Sequence, residues 1–118
     1  MNIVILSGRL TADPDIRMGT NDTKIARYIL AVERRVKKNT ERKSDFIACV
    51  CLGKNAEFAE KYLKKGTKVN VRGEWQTGNY TNKNGEKVYS NDCLVAEHEF
   101  AERKSQSPQA QETDTRPV

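Results

Sequence analysis

Histidine is nearly missing from this chain, with His98 the one example among 118 residues. A metal centre built on imidazoles, or a nucleophile activated by a His base, needs more than that. Cysteine is scarce and odd in number: Cys49, Cys51 and Cys93. Cys49 and Cys51 stand in "CVC", too close for an ordinary disulfide, which agrees with thiols kept reduced in a strand core. No apolar run reaches the length of a membrane span, and no secretory apolar region follows Met1, since "IVIL" is four residues long. A soluble, cytoplasmic chain with no membrane partner is expected. Carboxylates that could gather Mg²⁺ are limited to Asp13, Asp15 and Asp45. Asp13-Pro14 reads as a turn and Asp45 opens a strand. Neither an enzyme nor a metal or cofactor site is therefore expected.

What the chain does have is charge. Charged residues make up 31% against 36% hydrophobic, with a net charge of +5 and a pI near 9.2. The length suits one domain, residues 1–103, with a tail at 104–118. The tail, "KSQSPQAQETDTRPV", has no large apolar residue before Val118 and is expected to be disordered. Residues 105–118 carry a net −1, so the excess of positive charge lies in the folded part. A polyanionic partner and a merely solvated Lys-rich surface both fit that charge.

Five segments read as strands: "NIVILSGRL", "TKIARYILAVERR", "SDFIACVCL", "KVNVRGEWQTGNY" and "EKVYSNDCLVAEHEF". Gly8 marks a bulge or bend in the first. In the second, Ala26, Tyr28, Leu30 and Val32 share a face. One helix, "KNAEFAEKYLKKG", stands between the third and fourth strands. Phe58 and Tyr62 fall at i,i+4, Asn55 can cap its start, Lys64 and Lys65 favour its last turn, and Gly66 can cap its end. Short strands with one such helix describe an all-β OB-fold, a five-stranded Greek-key barrel. An SH3-like barrel and a ferredoxin-like sandwich compete, the latter wanting two helices.

"DFIACVCL" is apolar on both faces, Ile47, Cys49 and Cys51 on one, Phe46, Ala48, Val50 and Leu52 on the other. A barrel wall needs one apolar face. The helix, another subunit or a ligand could cover the second. Aromatic rings near a basic surface suit single-stranded nucleic acid, because every base has a π-face. The fourth and fifth strands meet through "GNYTNKNGEKVY". A two-residue Asn84-Gly85 turn sets Tyr80 opposite Tyr89. The two rings either stack on a ligand or staple the hairpin, while Trp75, in step with Val69 and Val71, points to the core.

"ILSGRLTADPDIR", "YILAVER" and "DFIACVCLGKNAEFAEKYLKKGTKVNVRGEWQTGNYTNKNGEKVY" resemble the bacterial and phage single-stranded DNA-binding protein family, from Asn2 to about Phe100. The resemblance implies an OB-fold assembled as a homo-oligomer, usually a tetramer. Such a protein coats single-stranded DNA without sequence preference during replication, recombination and repair. It implies stacking roles for Phe46 and Tyr80 and basic contacts from Arg34, Arg35, Lys54, Lys64 and Lys65. Leu52 and Val36 stand where several relatives have Phe and Trp. The tail lacks the acidic, aromatic tip through which the family recruits replication and repair proteins. A rival reading is a primosomal-type OB-fold module for protein contacts, with weak single-strand binding.

Overall fold

The computed structural model describes residues 1–35 and 41–101. Val36 and the 104–118 tail lie outside the described residues. The elements are β1 (Val4–Leu10), β2 (Asp15–Met18), β3 (Lys24–Glu33), β4 (Ser44–Leu52), α1 (Lys54–Tyr62), β5 (Lys68–Thr81) and β6 (Lys87–Phe100). A short 3-10 turn, Thr20–Asp22, joins β2 to β3.

The sheet runs β1-β5-β6-β4-β3-β2, and a further β1–β3 pairing closes the five long strands into a ring. All neighbours are antiparallel except β4 and β6, which run parallel. This is the OB-fold barrel. The addition to the expected five strands is β2, which hangs from the first half of β3, so the helix follows the fourth strand.

Closure depends on β1 serving two partners. Val4 to Arg9 pair with β5, and Arg9 and Leu10 also reach β3. Gly8 stands at the changeover, where a Cβ would lie 2.4 Å from the Ala31 carbonyl oxygen. Only a residue without a side chain lets the strands approach so closely. Gly73 does the same on β5, at a bulge between Arg72 and Gly73, where a Cβ would lie 2.1 Å from the Leu94 oxygen.

Alternation fills the interior. Ala26, Tyr28 and Leu30 of β3, Cys49 and Cys51 of β4, Val69 and Val71 of β5, and Cys93 and Val95 of β6 are buried. Val32 and Trp75 are partly buried against them. All three cysteines are free and buried. Burial pushes the thiol of Cys51 up to about 12 and raises those of Cys49 and Cys93, so these are protonated packing groups.

The helix closes one end of the barrel with Ala56, Ala59 and the following Leu63. Its ends differ from the sequence reading. Gly53, with φ of 60°, occupies the N-cap position, and the Asn55 amide instead donates to the Val95 and Ala96 carbonyls. The helix stops at Tyr62, so Lys64 and Lys65 lie in the turn beyond it. Gly66 belongs to that turn, donating its N–H to the Leu10 carbonyl. Phe58, partly buried against the core, joins the exposed rings of Tyr62 and Phe100, and it stacks on His98 at 5.0 Å between centroids. His98 Nε2 lies 2.9 Å from the Tyr28 hydroxyl, and its Nδ1 is buried with no hydrogen-bond partner among the described residues.

Candidate nucleic-acid interface

Strand registers define an outward lattice on β3, β4 and β6. One row reads Asp15, Arg27, Val50, Leu94 and Glu74, and the next reads Ile29, Ala48, Asp92 and Gln76. In step with these on β4 are Phe46 and Leu52, beside Ala31 and Ile25. The second apolar face of "DFIACVCL" is thus not covered by the helix. Phe46 is 67% exposed and Leu52 44%.

The same parity carries onto the hairpin. Gln76, Gly78 and Tyr80 alternate outward without interruption, so Tyr80 shares a face with Phe46. Tyr80 is also well exposed. Tyr89 does not face it, contrary to the two-residue turn expected from Asn84-Gly85. Tyr80 pairs with Val88, and Tyr89 pairs with Asn79 on the opposite face of the ribbon. The cause is Asn82. Its side-chain oxygen accepts from the Asn84 N–H at 2.9 Å and the Glu86 N–H at 3.0 Å, while its own N–H bonds the Glu86 carbonyl. The loop therefore holds three residues, Lys83, Asn84 and Gly85, with Gly85 at φ 81°. One residue of slip turns every later side chain over.

The basic residues divide. The Arg34 guanidinium grips Asp45 through Nη2 at 2.8 Å and Nε at 3.0 Å, and holds that carboxyl below its usual range. Its charge is largely committed to Asp45. Arg35 is exposed beside it. Lys54 is exposed just past the Leu52 end of the apolar stripe. Lys64 and Lys65 are exposed beyond α1, where the Lys65 N–H bonds Asp13 at 2.8 Å. Arg27 and Ile29, which share this outward face, were not among the residues expected there. The alternation that put Ala26, Tyr28 and Leu30 inward already turned both outward.

The carboxylates weighed for a metal site have other work. Asp13 accepts from Lys65, Asp15 from Arg17 and Asp45 from Arg34. Among the described residues no helix is long and apolar enough to cross a membrane.

An OB barrel with exposed rings and an apolar stripe on one face defines a class of binding protein. Residues 1–101 match the sequence model of the Single-strand binding protein family, and the chain belongs to that family. It is similar to the Single-stranded DNA-binding protein of Bacillus cereus, 43% identical over 106 residues, covering 89% of this chain and 62% of the relative. The protein of that name from Staphylococcus aureus N315 is 38% identical over 113 residues, covering 95% and 72%. That from Fusobacterium nucleatum is 36% identical over 110 residues, covering 91% and 71%. The chain thus spans somewhat under two thirds of the Bacillus relative's length.

Proposed function

We propose that this chain coats single-stranded DNA, broadly tolerant of sequence, as a binding protein rather than an enzyme, in replication, recombination and repair. The observation that carries the reading is the shared outward face of Phe46 and Tyr80, joined by the Ala48–Val50–Leu52 stripe. Bases stack on rings and apolar side chains whatever their edges present. Arg27, Arg35 and Lys54 supply phosphate contacts near this face, with Lys64 and Lys65 further along the strand's path. The relatives' names support the same ligand.

Titration of Trp and Tyr fluorescence with oligo-dT at several salt concentrations tests the reading. Tight quenching is expected, with affinity falling by roughly 0.7 log units per log unit of salt for each phosphate neutralised. Weak binding, or a flat salt profile, would overturn it and favour a protein-contact module.

The assembled form is proposed to be a homo-oligomer, with a tetramer as the family resemblance implies. Ile5 on β1 and Ile3 just before it are exposed, Ile5 being 71% exposed beside Arg72. Uncovered isoleucines on a strand are an ordinary cause of association. Sedimentation should show an oligomer, and Ile5→Lys should shift it toward the monomer. A wild-type monomer at micromolar concentration would refute this assembly.

A further inference from the structure

A groove of about 370 Å³ opens on the Phe46–Tyr80 face, between the loop before β2 and the outward rows of β3, β4 and β6. Its size falls within the range of pockets for small organic ligands. Ile29, Ala48 and Val50 form an apolar floor. Arg27 borders it from β3 and Asp92 from β6, with β4 between them. Two inter-strand steps across and two residues along the strand put their backbones about 12 Å apart. Neither side chain has a hydrogen-bond or ion-pair partner among the described residues. Asp15, opposite Arg27 in register, bonds Arg17 instead. The groove thus holds one guanidinium, Arg27, and three carboxylates, of which Asp13 accepts from the Lys65 N–H, Asp15 from Arg17, and the partly buried Asp92 from no donor among the described residues, with an apolar surface between Arg27 and Asp92.

We propose that this groove seats one nucleotide and favours cytosine over thymine, with Arg27 on the phosphate, the Ile29–Ala48–Val50 floor against the base and Asp92 accepting from the exocyclic amine. The inference rests on reading this face as the single-strand path. Cytosine presents its N4 amine as a donor, the natural partner of an Asp carboxylate. Thymine presents the O4 carbonyl at the same place, and two acceptors facing each other repel. Leaving a partly buried carboxylate without a donor costs more than leaving an exposed one. Stacking against the floor is indifferent to the base, so the bias comes from Asp92 alone. It is a local preference within a surface that otherwise tolerates any sequence.

The test compares oligo-dC and oligo-dT of equal length and salt, and reads the ratio of their affinities in each protein. Taking the change in ratio between proteins cancels the intrinsic difference in flexibility between the two strands. Asp92→Asn should lower the dC-to-dT ratio by roughly fivefold or more. Arg27→Gln should weaken both strands by the same factor and leave the ratio alone. A measurement on unaltered protein guards against a misfolded variant. Oligo-dC carrying N4,N4-dimethylcytosine, which has no amine hydrogens, should lose its advantage. An unchanged ratio in Asp92→Asn, or dimethylated strands bound as well as oligo-dC, would overturn the cytosine preference while single-strand binding stands. Failure of wild-type protein to bind either strand would overturn the reading of the face, and the groove's role with it.

Discussion

His98 should make the barrel sensitive to acid, and the size of the effect follows from its surroundings. Its ring stacks on Phe58, bonds the Tyr28 hydroxyl and leaves Nδ1 buried without a hydrogen-bond partner among the described residues. An unpaired lone pair costs less than an unpaired N–H, so Nε2–H donates to Tyr28 and Nδ1 stays bare. Protonating Nδ1 would place a charge and a new donor where the described residues offer no acceptor. Burial accordingly holds the imidazole down at about 4, from an ordinary 6.5. At about 1.4 kcal/mol per unit, the ceiling on the linked stability is about 3.4 kcal/mol. The ring is only partly buried, and solvent screening reduces the expected effect to about 2 kcal/mol. Above pH 6.5 both folded and unfolded chains hold neutral His98, and the group contributes nothing. Between 6.5 and about 4 the unfolded chain takes the proton first, so stability falls as pH falls. Below about 4 both states are protonated and the loss levels off. Urea unfolding of wild type and His98→Gln at neutral pH and at about pH 4.5 reads this directly. Carboxylates titrate alike in both proteins, so the difference isolates His98. The variant is less stable at neutral pH through lost packing but should lose about 2 kcal/mol less on acidification. Parallel losses in the two proteins would refute the argument.

Tyr80→Ala and Phe46→Ala should each weaken oligo-dT binding by roughly 1–3 kcal/mol, a range for base–aromatic stacking drawn from proteins that include this family, at nearly unchanged melting temperature. Tyr89→Ala, on the other face of the ribbon, should weaken it less, and equal losses for both tyrosines would contradict a path confined to the Phe46 face. Gly8→Ala should destabilise the fold by about 2–3 kcal/mol in denaturant melts, because its methyl meets the Ala31 backbone. Trp75→Ala should cost about 2–3 kcal/mol, less than a fully buried aromatic, since the indole is only partly covered; a stability unchanged by the loss would remove Trp75 from the core.

The long strands and the helix were legible because each carries its own period. Ala26, Tyr28 and Leu30 alternate, and so do Val69 and Val71, so the inward faces follow from the residues alone. Strand β2 left no such mark. "DIRM" is four residues, with Ile16 alone turned toward the core between charged neighbours. Its pairing comes from the first half of β3, which pairs β4 along one edge and, beyond the reach of β1, offers the other. The helix ends were misread for a related reason. Asn55 is a good cap by type, but the β6 carbonyls of Val95 and Ala96 lie within its reach and claim the amide. A local rule gave way to a contact forty residues away in sequence.

The site shows the same division more sharply. Alternation grouped Phe46 with Ala48, Val50 and Leu52 on one face of β4, and nothing distant could change that parity; the family resemblance alone pointed to a ligand for that face. Tyr89 depended on a turn. Asn84-Gly85 has the composition of a two-residue hairpin, yet Asn82 supplies a carbonyl that binds two N–H groups across a three-residue loop. The energies separating these loops are about those of one or two hydrogen bonds, roughly 1 kcal/mol each. Their consequence is much larger, because a single-residue slip moves an aromatic ring from one side of the ribbon to the other. The exposed face that results carries Phe46 with Tyr80, continued by the β4 stripe toward Leu52 and Lys54, and it is the face proposed to stack on bases. Arg34, strong in the sequence as a phosphate contact, is held by Asp45 in a two-point grip that a phosphate would have to displace. Arg27, unremarked in the sequence, is a guanidinium on the face proposed to bind, with no ion-pair partner among the described residues.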